Sequence, residues 1–286
     1  MKVGIDSYCF HRFFGEVYPE QEKPSKQMTV EDFLKRANEL EVDGVSLQTC
    51  FLPRFDKEYL SELKGMLDEY QFDRVWAWGH PTGLDGGRNM EHYEDMLRNI
   101  EYAKEVGARV MRVAGSDWSF RFEPKQPMIE MQSKLFSDAA KIAKRYDVKL
   151  ADENHIEFNS NEMLTLVNNV NSPYFGITFD TGNFIRLLDD PVQSMEKLAK
   201  HVYATHIKDV KPQKGAPVNE WYFFSSTPSG EGLVDIQKIA QLLKDNGYEG
   251  FLAIEVDFLH SDYNNDEDSA VAASVKEMRR IISSLK

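Results

Sequence analysis

Val148-Lys149-Leu150-Ala151-Asp152-Glu153-Asn154-His155, followed after a helical interval by Gly176-Ile177-Thr178-Phe179-Asp180-Thr181-Gly182-Asn183, is the stretch on which the fold turns. Each run is short, rich in strand-forming or apolar residues, and ends in a cluster of polar side chains. Two such runs joined by a helical pattern describe parallel strands linked by a crossover helix. The same unit recurs outward in both directions. Further strand candidates are Val3–Ser7, Gly44–Gln48, Arg74–Trp78 and Arg109–Ala114 before it, and Tyr203–Lys208 and Phe251–Val256 after it. The intervals carry helical stripes such as Phe33, Leu34, Ala37 and Leu40, or Ile236, Ile239, Ala240, Leu242 and Leu243 closed by Asn246-Gly247. Thr29 stands where an N-cap is needed and Pro191 where a first helical turn begins. Eight strands at a period of roughly 30 to 40 residues, each followed by a helix, predict an α/β protein with a closed (β/α)₈ TIM barrel rather than an open doubly wound sheet. No linker-like or low-complexity tract interrupts the pattern, so residues 1–286 are expected to form a single TIM-barrel catalytic domain.

Composition narrows the partners. With 34 Lys and Arg against 47 Asp and Glu the formal net charge is −13, which opposes binding to nucleic acid or to an anionic membrane surface. No apolar run approaches the roughly 20 residues that span a bilayer. The apolar start Val3–Ile5 meets Asp6 at once, so no signal peptide is expected. The two cysteines, Cys9 and Cys50, fit a reducing compartment and read as small buried hydrophobes. A cytoplasmic protein is the expectation.

One long irregular segment is expected after the seventh strand, from about Val210 to Gly230. It holds Lys211, Pro212, Gly215 and Pro217, then the aromatic run Trp221-Tyr222-Phe223-Phe224. Long loops in compact domains are functional or disordered, and the aromatics argue against disorder. The segment is expected either to cover the barrel mouth as a lid or to pack at the rim or a subunit contact, which would make the protein a homo-oligomer.

Functional groups of such a barrel stand at the C-terminal ends of its strands. There the fifth to eighth strands carry Glu153, Asp180, His206 and Glu255 in corresponding positions. Two residues earlier come Ala151, Thr178, Ala204 and Ala253, all small, and strand alternation points each the same way as its ionisable neighbour. Three carboxylates and an imidazole converging inside a barrel repel one another and are strongly desolvated unless a cation joins them. Oxygen-rich ligation with one nitrogen favours one divalent metal ion, Mn²⁺, Mg²⁺ or Co²⁺ ahead of Zn²⁺. The bland alternative is a buried hydrogen-bonded network without metal.

This constellation resembles the xylose isomerase-like TIM-barrel superfamily, the sugar isomerases and epimerases that share a fold with endonuclease IV. The resemblance covers essentially the whole chain. It is carried by Glu153-Asn154-His155, Asp180-Thr181-Gly182-Asn183, His206-Ile207-Lys208-Asp209 and Gly230-Glu231-Gly232-Leu233-Val234-Asp235. It implies that Glu153, Asp180, His206 and Glu255 bind one metal, and that Glu153 and Glu255 are also the catalytic acid–base pair. The chain departs from ketohexose epimerases at Asn183, where they commonly have a His. It also has Lys208, Asp209 and Lys211 where they carry an Arg downstream of the metal His.

Such a site predicts a divalent-metal-dependent isomerase or epimerase of an unphosphorylated sugar or keto-sugar, acting through a metal-stabilised enediolate. The alternative is a lyase of the same fold, a 3-oxo sugar acid decarboxylase or dehydratase, and Asn183 and an inward Lys208 shift weight toward it. The bland reading pairs Lys208 with Asp209 or Glu231 on the rim. A non-catalytic sugar-binding module conflicts with the complete ligand set. An endonuclease IV-like nuclease is a remote third reading, given only seven His and the negative charge. No Gly-rich phosphate cradle appears, since Gly83, Gly86 and Gly87 have the wrong spacing, so no phosphate and no nucleotide cofactor are expected. The partner is then a small-molecule sugar or sugar acid. Substrate contacts are expected from His155, Lys208, Asn183, His80, Trp78, Tyr8, His11 and Arg112. Trp78 is read as either a ring-stacking face or packing, and Arg112 as either an anion contact or the buried partner of a carboxylate. His92 and His201 are read as surface residues.

Overall fold

Short runs dominated by Val, Ile, Leu and Phe are buried on both faces here, as a parallel sheet flanked by helices requires. In the computed structural model, which describes residues 1–286, they form ten strands: β1 (Lys2–Asp6), β2 (Gly44–Gln48), β3 (Asp73–Ala77), β4 (Val110–Val113), β5 (Lys149–Glu153), β6 (Phe175–Asp180), β7 (Val202–His206), β8 (Asp209–Pro212), β9 (Phe224–Thr227) and β10 (Phe251–Ile254). The helices are α1 (Val30–Glu39), α2 (Lys57–Glu69), α3 (Met90–Glu105), α4 (Lys125–Tyr146), α5 (Ser160–Val170), α6 (Thr181–Arg186), α7 (Pro191–Leu198), α8 (Ile236–Asp245) and α9 (Glu267–Ser284). Eight strands run parallel in the order β10-β1-β2-β3-β4-β5-β6-β7. The ring closes through a parallel bridge between Ile207 and Ile254, with the Ile207 N–H donating to the Ala253 carbonyl at 2.7 Å. This is the (β/α)₈ barrel expected from the sequence. None of its helices is long and apolar enough to cross a membrane.

Alternation works as the sequence suggests. Ala151, Ala204 and Ala253 meet inside the barrel with Val75 and Phe251. Phe251 plugs the N-terminal end, and its ring needs two glycines. A Cβ at Gly4 would lie 2.2 Å from the Phe251 ring and 2.7 Å from the Gly44 carbonyl oxygen, which cannot swing away. Gly4→Ala should therefore destabilise the fold by about 1–3 kcal/mol, the usual cost of overpacking a core. Thermal unfolding of the variant checks this, and an unchanged Tm would contradict it. The helices turn their stripes inward: Phe33 and Leu34 of α1, and Ile239 and Leu243 of α8, are buried. Thr29 caps α1 in a capping box with Asp32, and Pro191 opens α7 behind the cap Asp190.

The segment after β7 departs from expectation. It is not irregular: β8 and β9 pair as an antiparallel hairpin from Asp209 opposite Thr227 to Pro212 opposite Phe224. The turn-forming Pro212, Gly215 and Pro217 occupy or adjoin its loop, and they hide two short strands on either side. Asp209 fixes its base by accepting the backbone N–H groups of Gly230 (2.8 Å), Gly232 (2.9 Å) and Val234 (3.0 Å). A Cβ at Gly232 would stand 2.2 Å from the Asp209 carboxylate, which is why glycine is needed there.

Candidate metal centre

Glu153 ends β5, Asp180 ends β6, His206 ends β7, and Glu255 follows β10. Asp180 and His206 are register partners across β6 and β7, so strand pairing itself brings them together. Asn154 fastens Asp180 from the other side, donating to its carbonyl at 2.9 Å and accepting its N–H at 2.8 Å. All four side chains are buried, and one potential ligand atom from each lies within 4.8 Å of the others. His206 Nδ1 is 3.2 Å from Glu255 Oε2, 3.4 Å from Glu153 Oε1 and 3.9 Å from Asp180 Oδ2. Three of these atoms, Asp180 Oδ2, His206 Nδ1 and Glu255 Oε2, are fully enclosed without a well-aligned hydrogen bond, although the Lys208 ammonium forms ion pairs with the two oxygens. Buried polar atoms are rarely left so. Such donor atoms converging on one point fit a cation, and the four residues can hold one metal ion.

The electrostatics without a cation show the same tension. Burial is the largest influence on every group. It pushes Asp180 up to about 7, against the pull of Lys208. On Glu255 the nearby His206 and Lys208 overcome burial and hold it at about 2. Glu153 is likewise held below the usual carboxylate range, by Arg112 and His206. Burial disfavours a charged His206, but Glu255 and Glu153 outweigh it and keep the imidazole protonated well above its ordinary value. The imidazolium, Lys208 and Arg112 together balance the carboxylates of the cluster. A metal must displace the imidazolium proton, and below about pH 7 the Asp180 proton as well. Metal affinity should therefore rise with pH and level off only above the range in which these groups lose their protons. Titration calorimetry in buffers of different ionisation enthalpy should record net proton release, and a pH-independent affinity would contradict the assignment.

Lys208 points inward rather than to Asp209 or Glu231. Its Nζ is 2.8 Å from Asp180 Oδ2 and 2.9 Å from both Glu255 Oε2 and Asp257 Oδ2. Arg112 is the buried partner of a carboxylate: Nε is 2.5 Å from Glu153 Oε2, Nη2 is closer still, and Nη1 donates to the Trp78 carbonyl at 2.9 Å. Asn183 donates to Glu153 Oε1 at 3.2 Å and accepts from Arg186. These groups face a cavity of about 520 Å³ at the C-terminal end of the barrel, which Tyr8, His80 and His155 also line.

Two expected contacts do not reach that cavity. Trp78 is 1% exposed, and its indole N–H donates to Asp95 at 2.9 Å on the helix side of the sheet. His11 is enclosed, its ring nitrogens 2.7 and 2.6 Å from the carbonyl oxygens of Glu16 and Asp257, so it ties two loops together. The cavity aromatics are instead Trp118, Tyr18 and Trp221. Trp221 packs edge-on against Tyr18 with ring centroids 5.0 Å apart, so the hairpin segment covers the mouth, as one of its two readings required. His92 is not a free surface group, since it packs on His80 at 3.6 Å. Cys50 is exposed beside the cavity, whereas Cys9 is buried as expected.

Several residues of the site were not singled out from the sequence. Asp6 Oδ2 lies 3.4 Å from His206 Nε2 and orients the ring, as supporting carboxylates do for metal-binding imidazoles. Asp257 is gripped by Arg186 at 2.6 and 2.9 Å and by Ser226 at 2.7 Å. Both acids follow the rule that found the main four, standing two residues beyond an inward-facing neighbour, Gly4 and Glu255. Arg186 lies on α6 and leaves no such signal.

The family model described as Xylose isomerase-like TIM barrel matches residues 34–281. The chain belongs to this family. Among curated relatives of this xylose isomerase-like barrel are the L-ribulose-5-phosphate 3-epimerases UlaE of Salmonella paratyphi A and Escherichia coli O139:H28. Each is 30% identical over 166 residues, 57% of this chain and 55% of the relative, so the chain spans about half the length of the curated relatives it matches. Among solved structures, the IOLI protein with a bound zinc atom superimposes with a TM-score of 0.77 at 16% identity, covering 100% of this chain and 99% of that one. D-psicose 3-epimerase with D-tagatose from Clostridium cellulolyticum H10 gives 0.75 at 14% identity, covering 98% and 99%. At these identities the structural likeness of the xylose isomerase-like barrel establishes the fold alone.

Proposed function

We propose that this protein is a divalent-metal-dependent epimerase or isomerase of an unphosphorylated sugar or keto-sugar. The observation that carries the reading is the convergence of four enclosed ligand atoms within 4.8 Å of one another on the cavity floor, two of them from carboxylates, Glu153 and Glu255, that also line the cavity. Glu153, Asp180, His206 and Glu255 would hold the metal, with Mn²⁺, Mg²⁺ or Co²⁺ favoured by the oxygen-rich donor set. When bound, the metal supplies positive charge beside the substrate oxygen on which negative charge develops.

The remaining chemistry belongs to the chain. Glu255 has no arginine clamp, and its neighbours His206 and Lys208 keep it ionised despite its burial, so it is the base that takes a proton from the carbon beside the carbonyl. Glu153 stands three strands away round the ring, fixed by Arg112 and Asn183, and exchanges a proton from another side. Lys208 brings a further positive charge to the floor. Tyr18 and Trp221 keep water out while the proton is in transit.

The UlaE relatives are named for a 5-phosphate, but the cavity here supports an uncharged substrate. Its three side-chain cations, Arg112, Arg186 and Lys208, are each already paired with a carboxylate. A phosphate ester needs an uncommitted cation or a cradle of amides. The two free cysteines favour a cytoplasmic location. A lyase acting on a sugar acid is the second reading, favoured by the inward ammonium of Lys208, which stands beside the candidate metal ligands where it can steady a developing enolate.

The test is incubation of the Mn²⁺-loaded protein with free ketopentoses and ketohexoses in D₂O. Deuterium at the carbon beside the carbonyl, with an epimer or aldose as product, is the expected result. Release of CO₂ or water from oxidised sugar acids would select the lyase. No exchange and no product from any of them would overturn both readings.

A further inference from the structure

One carboxylate in the cavity has no part in proton transfer. Glu16 lies on the connection between β1 and α1 and lines the cavity. Its Oε1 accepts a hydrogen bond from the Tyr8 hydroxyl at 2.8 Å, and the Tyr18 hydroxyl, 3.5 Å from the same oxygen, donates to the Tyr8 oxygen and so completes the chain. Its backbone is equally fixed, because its carbonyl oxygen is 2.7 Å from the His11 ring that bridges to Asp257. Tyr18 is braced by Trp221, and Tyr8 stacks on His11 with centroids 4.9 Å apart. No Lys, Arg or His pairs with the Glu16 carboxylate, unlike every carboxylate on the floor.

A rigid acceptor without a counter-cation has a definite chemical preference. It accepts O–H donors, which a polyol chain supplies in quantity. It repels a phosphate dianion, and in a partly enclosed cavity that repulsion is stronger than in open water. Asp117 and Glu220 also line the cavity and add charge of the same sign. Rejection by like charge is a recognised route to specificity.

We propose that Glu16, held by Tyr8 and Tyr18, is the specificity-determining residue that accepts a hydroxyl from the end of an uncharged polyol chain and turns away the corresponding phosphate ester. The inference rests on reading the cavity as a sugar site.

The test uses ligands that cannot react, so it does not depend on turnover. Ribitol and ribitol 5-phosphate are titrated into the full-length, Mn²⁺-loaded protein, with binding followed by the fluorescence of Trp118 and Trp221 in the cavity wall. Wild type should prefer ribitol. Glu16→Gln, which keeps the shape and removes the charge, should shrink that preference by about tenfold, and Glu16→Lys should reverse it. Tyr18→Phe, which loosens the acceptor without altering its charge, should weaken ribitol binding and still reject the phosphate. The wild-type preference should also diminish as salt is raised. An unchanged ratio of the two affinities in both Glu16 variants would overturn the proposal. So would a wild type that binds the phosphate more tightly, or one that binds neither ligand. A wild type that behaves as expected here but exchanges no deuterium with any ketose leaves this assignment standing and removes the epimerase reading.

Discussion

Glu255→Gln should lower kcat by about 10²–10⁴-fold, the usual contribution of a general base, while the metal stays bound. The side chain is 6% exposed, and Lys208 Nζ and His206 Nδ1 lie within 2.9 and 3.2 Å of its Oε2. The amide keeps one oxygen for the metal and fits the same volume, so the loss isolates the proton. Glu153→Gln should cost as much in turnover, but it is a different experiment. Arg112 is buried, and its guanidinium rests on Glu153. Neutralising one member of a buried ion pair typically costs about 3–5 kcal/mol, so this variant should also unfold at a markedly lower temperature. Kinetics, metal content and Tm of the two variants, measured side by side, separate the roles. Near-wild-type turnover in both with metal retained would make the carboxylates ligands only.

The second large effect concerns His206. His206→Ala removes the only nitrogen among the four candidate ligands and one of the cations that balance their carboxylates. Replacing a supporting partner of a metal ligand costs about 10–100-fold in affinity, and loss of the ligand itself should exceed that. Chelation of the wild-type protein should abolish activity. It should also lower stability, because a ligand held at a hundred times its Kd contributes about 2.7 kcal/mol to the folded state. Metal content, activity and Tm should fall together in His206→Ala and recover together when metal is returned to the chelated wild type. A fully active His206→Ala protein would sink the metal assignment.

The floor of the site was legible because strand geometry leaves a mark every second residue. Small residues at Ala151, Ala204 and Ala253 announced that what stood two places later had room inside, and that is where Glu153, His206 and Glu255 lie. The same alternation in the third strand, with Val75 inside, sends Trp76 and Trp78 to the helix side, where Trp76 bonds Asn99 and Trp78 bonds Asp95. The preference for Trp78 as a cavity face came from its chemistry alone. The upper parts were less legible because loops carry no period. His11 and Tyr18 lie on one connection and face different ways, one tying carbonyls and the other lining the mouth. The hairpin was hidden by its own proline and glycine residues, since strands of four residues are too short to stand out beside them.

The three amides gathered by Asp209 act as a weld at the foot of the hairpin, one residue from Lys208 and three from His206. A second tie is Ser226 of β9, whose hydroxyl holds Asp257, so changes further out on the arm must break one of these anchors before they reach the floor. Residues 213–220 can therefore be lengthened, shortened or exchanged for a foreign sequence while the reacting groups keep their positions. The arm is thus a detachable fitting, and a barrel of this design can be given a new appetite by recasting its roof and leaving its chemistry alone.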